Sequence, residues 1–148
     1  MCRWQYEDLT IDVMPIEESI LGFSNRWYEE ALQTAQRVQL AEDLSIRAIT
    51  APYFLASKFE AFHGRGGGDY FASHDLEDLI AVVDGRDVLV SEIKESSSGL
   101  RDYIAAETKH LLQDRGFIDA LPGFLPPDDA SQQRLTLLLK RLRALSEE

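Results

Sequence analysis

The sequence predicts an α+β protein: a small antiparallel sheet of two hairpins, followed by a helical carboxy-terminal region. Two observations carry this. Apolar and polar side chains alternate in short runs before residue 50, the pattern of half-buried strands. From Pro52 onward apolar residues recur at helical spacing instead, the pattern of helices with one buried face. Strands first and helices afterwards keep the two kinds of element apart, which is the α+β arrangement. The expected layout is a sheet over residues 1–50 and a helical region over 51–148.

Arg3-Trp4-Gln5-Tyr6 and Leu9-Thr10-Ile11-Asp12-Val13-Met14 make the first hairpin around Glu7-Asp8. Pro15 stops it, because proline offers a ladder no donor. Glu17 to Leu21 has room for one helical turn before Gly22 breaks it. Asn25 is the expected cap of a short helix from Trp27 to Gln36. Arg37 to Leu40 and Leu44 to Ile49 alternate again around Ala41-Glu42-Asp43, giving the second hairpin.

Pro52 suits the first turn of a helix. That helix has the stripe Leu55, Phe59 and Phe62 and ends at Gly64. Arg65-Gly66-Gly67-Gly68-Asp69 reads as a flexible loop. Ser73 caps the next helix, with Asp75 in its first turn. Leu76, Leu79, Ile80 and Val83 form its buried stripe, and Gly85 closes it. Further helices are expected over 87–95, 99–113 and 131–145, the last with Leu135, Leu138, Leu139 and Leu142 inward. Pro122 to Pro127 is expected to be a stiff linker.

A chain of 148 residues, 45% apolar and 28% charged, can bury a core without disulfides or a structural metal. Cys2 is the only cysteine, so neither an internal disulfide nor a thiolate zinc site can form. A cytoplasmic location is the default expectation. No apolar run is long enough to span a bilayer, and the first residues lack the apolar stretch of a signal peptide. The formal net charge of -11 argues against non-specific nucleic-acid binding, which needs clustered Lys and Arg to displace counterions. A nucleotide bound with its own Mg²⁺ stays compatible, since the cation would bridge two anionic partners.

Asp12 sits mid-strand on the face it shares with Thr10 and Met14, with Ile11 and Val13 on the other. It is either a metal or partner site or a solvated residue on a half-exposed sheet. Lys58 lies in the helix after Pro52. Asp75 and Asp78, three apart, share a face of the next helix and can meet it across the turn. By themselves these residues read as an inter-helix salt bridge with favourable dipole placement, worth about 0.3–1 kcal/mol. The glycine run lacks the Gly-Lys-Ser/Thr ending of a phosphate loop. His63 and His74 flank it at a spacing that matches no standard metal site.

Read together, Ile11-Asp12-Val13, Ala56-Ser57-Lys58-Phe59-Glu60-Ala61-Phe62 and Asp75-Leu76-Glu77-Asp78-Leu79 resemble the nucleotidyltransferase superfamily. The branch is that of the AbiEii-type toxins and minimal nucleotidyltransferases, and the resemblance covers residues 3–95. His74 departs from it, standing where the family has Arg or Lys. The resemblance implies metal-dependent transfer of a nucleoside monophosphate from a triphosphate to a hydroxyl on RNA, protein or a small molecule in full-length members. It implies that Asp12 is the third metal-site carboxylate, catalytic and a Mg²⁺ ligand. Lys58 would meet phosphate charge, and Asp75 and Asp78 would complete the nucleotide-binding motif.

Active members also carry an upstream helix, a Gly-Gly or Gly-Ser turn and an Asp-x-Asp strand. Only eleven residues precede Asp12, and they hold no such motif. The expectation is therefore a partial nucleotidyltransferase fold, its carboxy-terminal two-thirds, without catalysis. The alternative is a non-catalytic interaction module, such as a toxin–antitoxin component whose acidic surface suits a basic protein. An exposed sheet edge would also invite a second copy. Expected partners are thus a nucleoside triphosphate, a protein or another copy of the chain, and no membrane.

Overall fold

Two antiparallel hairpins and a set of packed helices make an α+β architecture. The computed structural model describes residues 2–21, 25–65 and 68–147. β1 (Cys2–Tyr6) pairs with β2 (Leu9–Val13) in the register Cys2↔Val13, Arg3↔Asp12, Trp4↔Ile11, Gln5↔Thr10 and Tyr6↔Leu9. The two-residue turn holds Glu7 at φ 52, the left-handed conformation that tight hairpin turns require. Directly opposed residues share a face. Cys2, Trp4, Tyr6, Leu9, Ile11 and Val13 therefore form one largely apolar face, and Arg3, Gln5, Thr10 and Asp12 the polar one. Both strands are exposed along their whole length.

α1 (Glu18–Leu21) and α2 (Tyr28–Gln33) follow. Asn25 Oδ1 accepts the Trp27 N–H at 3.1 Å, and its Nδ2 donates to the Ser57 carbonyl at 3.0 Å. Asn25 is therefore not the cap of α2, whose flanking residue is Trp27 with no side-chain cap bond; it closes the preceding turn instead and ties it to the next long helix. α2 is shorter than the expected span to Gln36, which already belongs to β3 (Gln36–Ala41). β3 pairs with β4 (Leu44–Ala48) through a register shift between Gln39 and Ala41. Arg47 Nη2 donates to the Leu32 carbonyl at 2.7 Å, closing the carboxyl end of α2 as a cation does well.

The hairpins do not join into the single sheet expected from the alternation; they are two separate two-stranded sheets. Each strand pairs only with its hairpin neighbour, and Arg47 commits the second hairpin to α2.

The remaining elements are helical: α3 (Ala51–Arg65), α4 (His74–Gly85), α5 (Leu89–Glu95), α6 (Ser98–Gln113) and α7 (Arg115–Ala120). A 3-10 turn (Leu121–Phe124), α8 (Asp129–Gln133) and α9 (Leu135–Leu145) complete the chain. Among the described residues no strand follows Ala48. Leu55, Phe59 and Phe62 of α3 and Leu76, Leu79, Ile80 and Val83 of α4 are buried in one core, as their spacing predicts. Leu100 and Ile104 of α6, Leu138 and Leu142 of α9, Ala31 of α2 and Trp27 just before it belong to the same core. Full burial of each large aliphatic side chain contributes about 1.5–3 kcal/mol.

Several boundaries differ from expectation. The last helix is divided at Arg134 into α8 and α9. Arg134 Nη2 reaches Asp84 Oδ2 at 2.9 Å, and Arg141 donates to the Val83 and Asp84 carbonyls and to the Asp87 carboxylate. These bonds fasten the tail to the end of α4. α7 was not expected, and the proline stretch winds into the 3-10 turn because Leu121 and Leu125 are buried. Gly64 is the next-to-last residue of α3, which ends at Arg65. Gly22, Gly66 and Gly67 lie outside the described residues, and with them the expected break and the middle of the glycine loop.

Ser73 is the cap that was expected. Its Oγ accepts the Leu76 N–H at 3.3 Å at a buried position. Ser73→Ala is expected to cost about 1 kcal/mol, read as a lower urea midpoint at an unchanged slope. An unaltered midpoint would show that Ser73 does not hold the start of α4.

Candidate functional site

Lys58 projects from the flank of α3, between the buried positions Leu55 and Phe59. α4 runs beside it, and its first turns present Asp75 and Asp78 on one side. Lys58 Nζ lies 3.2 Å from Asp75 Oδ1 and 2.5 Å from Asp78 Oδ2. It also lies 5.6 Å from the centroid of the Phe54 ring. The Lys58 side chain is 21% exposed, Asp75 is buried and Asp78 is 52% exposed. Burial alone would lower the Lys58 pKa. Hydrogen bonds and charge from Asp78 and Asp75 outweigh it and hold the ammonium above its ordinary value. A lysine held charged in this way is not available as a base or nucleophile, because both chemistries need the neutral amine.

Asp12 is engaged elsewhere. Arg3 Nε donates to its Oδ1 at 2.7 Å and Arg3 Nη2 to its Oδ2 at 2.8 Å. The pair spans β1 and β2 at directly opposed positions on an exposed face. Arg3, chiefly through these hydrogen bonds, holds the Asp12 carboxyl below its ordinary range. A depressed carboxyl stabilises the fold above its ordinary pKa and loses that contribution as pH falls through the folded value.

The geometry does not suit the Mg²⁺ that the family resemblance implies. Both Asp12 oxygens already accept charge-assisted bonds from one guanidinium. Among the described residues no group of three or more His, Cys, Asp or Glu side chains is placed to hold a metal ion. His63 and His74 do not converge either. His63 Nε2 meets Glu107 at 2.6 Å, and the exposed His74 meets Glu77 at 3.2 Å.

The structure thus brings three of the four sequence candidates together, Lys58, Asp75 and Asp78, while Asp12 is tied to Arg3. Arg3 was missed in the sequence, yet a signal was present. A two-residue turn at Glu7-Asp8 places position 3 opposite position 12, and opposite charges there attract. A cleft of about 880 Å³ also went unnoticed. It opens between the second hairpin, the start of α3 and the α4–α5 corner, with Phe54, Arg86 and Glu92 in its wall. None of the four candidates lines it, although Phe54 stands between it and Lys58. Glu92 is locked by Arg86, whose Nε and Nη2 donate to it at 2.6 and 2.5 Å.

Comparison with known proteins yields no match to a family model, a curated protein or a solved structure.

Proposed function

We propose that the chain is a nucleotidyltransferase-like protein that keeps the nucleotide-side cluster of that family and does not itself transfer nucleotides. The observation that supports this is the Lys58–Asp75–Asp78 cluster, bound across α3 and α4. In active members, by resemblance, the same residue types border the triphosphate during metal-dependent transfer of a nucleoside monophosphate to a hydroxyl. Metal-assisted phosphoryl chemistry needs several carboxylates converging on the ions. The 148 residues contain no Asp-x-Asp, and Asp12 is neutralised by Arg3.

The test is incubation of the purified chain with each radiolabelled nucleoside triphosphate, Mg²⁺ and RNA or protein acceptors. No labelled product is expected. Mg²⁺-dependent labelling abolished by Asp12→Ala would overturn the proposal of inactivity. Calorimetry addresses the nucleotide itself: binding should require Lys58 and disappear in Lys58→Ala. Absence of any triphosphate binding by the unaltered chain would remove the nucleotide role.

A second reading is a non-catalytic interaction module, such as one component of a toxin–antitoxin pair. It is favoured by the first hairpin, whose apolar face is uncovered along its length. An isolated two-stranded hairpin is marginally stable in water, and contiguous exposed apolar patches mark interaction sites.

A further inference from the structure

We propose that the apolar face of the β1–β2 hairpin docks a basic amphipathic segment of another protein, one with an apolar side flanked by lysine or arginine. The proposal rests on the interaction-module reading and adds to it the surface and the chemistry of the partner.

The hairpin is finished on one side only. Its polar face is closed by the two bonds between Arg3 and Asp12. Its other face sets Trp4 opposite Ile11, Tyr6 opposite Leu9 and Cys2 opposite Val13, and all of these are exposed. Trp4 is 67% exposed, whereas Trp27, the other tryptophan, is 8% exposed. Cross-strand neighbours on one face form a continuous strip. An aromatic–aliphatic strip of this kind has the composition of an interface centre.

Charge selects the occupant. The strip ends at the Glu7–Asp8 turn, and neither carboxylate makes an ion pair among the described residues. The second hairpin repeats the design: Val38, Leu44 and Ile46 are exposed, and Glu42–Asp43 form its turn. A second copy would bring another net charge of -11 and the same acidic turns. Nucleic acid and anionic lipid carry the wrong sign as well. Lysine or arginine beside an apolar strip would meet the turn carboxylates while its neighbours cover Trp4 and Ile11. At physiological salt the screening length is about 8 Å, so these local acids act on a bound segment more than the distant charges do.

The test uses Trp4 fluorescence on the full chain, with a short peptide of alternating leucine and lysine as the probe and a leucine–glutamate peptide as its counterpart. The leucine–lysine peptide is expected to shift Trp4 emission to the blue, and the counterpart to leave it unchanged. Glu7→Lys/Asp8→Lys and, separately, Ile11→Ser/Val13→Ser are each expected to weaken binding about tenfold or more. These positions are exposed, so helical circular dichroism should be unaltered and should verify folding. Asp102→Lys/Asp119→Lys makes the same change of charge on exposed helical positions and should bind as the parent does. Equal weakening in that control would overturn the surface while leaving the interaction reading in place. No binding of the leucine–lysine peptide would overturn the proposal. So would sedimentation as a dimer that Ile11→Ser/Val13→Ser dissolves, or an equal Trp4 shift with phosphatidylcholine vesicles, because each assigns the face to another occupant.

Discussion

Phe59→Ala is expected to destabilise the protein by about 3–5 kcal/mol, a large share of the roughly 5–15 kcal/mol typical of a domain. Phe59 is among the largest fully buried side chains. It lies at the α3 face that meets α4 and α6, with its ring edge-on to Tyr103 at 6.3 Å. Truncation removes the apolar surface and leaves a cavity that rigid helices close only in part. The measurement is urea unfolding followed by helical circular dichroism. A loss below about 1 kcal/mol would mean that the core collapses around the gap. Trp4→Ala is the contrast: an exposed aromatic of similar size should change stability by no more than about 0.5 kcal/mol. Equal losses at the two positions would contradict the separation between a packed helical core and an uncovered hairpin.

Lys58→Ala is expected to cost about 1–3 kcal/mol. The range lies between an exposed ion pair, about 0–1 kcal/mol, and a fully buried one broken from one side, about 3–5 kcal/mol. The cluster is intermediate, because Asp75 is buried and Asp78 is 52% exposed. Asp78→Ala should cost less, since Lys58 keeps Asp75 and the half-exposed carboxylate leaves no buried charge behind.

The pH dependence has a definite sign. Lys58 is held above its ordinary value of 10.5. Its stabilisation is therefore complete below that pH and is lost as pH rises through the higher folded value. The gap between parent and Lys58→Ala should be full near neutrality and narrow in strong alkali, read from urea midpoints across that range. A gap that does not narrow would assign the loss to the aliphatic stem beside Phe54 rather than to the charge.

The α3 and α4 stripes could be read in the sequence because helical periodicity is a local property, and Leu55, Phe59, Leu76 and Ile80 display it within one or two turns. Ser73 was legible for the same reason: a cap acts on an N–H three residues away. α7 and the break at Arg134 were not legible. Both belong to short segments whose stability comes from burial of Phe117 and Leu121 and from the Arg134 and Arg141 bonds to the end of α4. Those contacts join residues some fifty positions apart, and intrinsic propensity is too weak to announce them.

At the candidate site the division is the same. The spacing of Asp75 and Asp78, and the place of Lys58 on the helix before them, were sequence information, because three residues bring side chains to one helix face. The hairpin turn and the apolar alternation of β1 and β2 were sequence information too. Only the tertiary structure decided that Lys58 closes on both aspartates, that Asp12 is taken by Arg3, and that the hairpins stay apart with the first one's apolar face uncovered. Period and spacing dictate which side of an element is apolar. Which element covers that side depends on non-local contact energies set against chain entropy, and no short stretch of residues contains that balance.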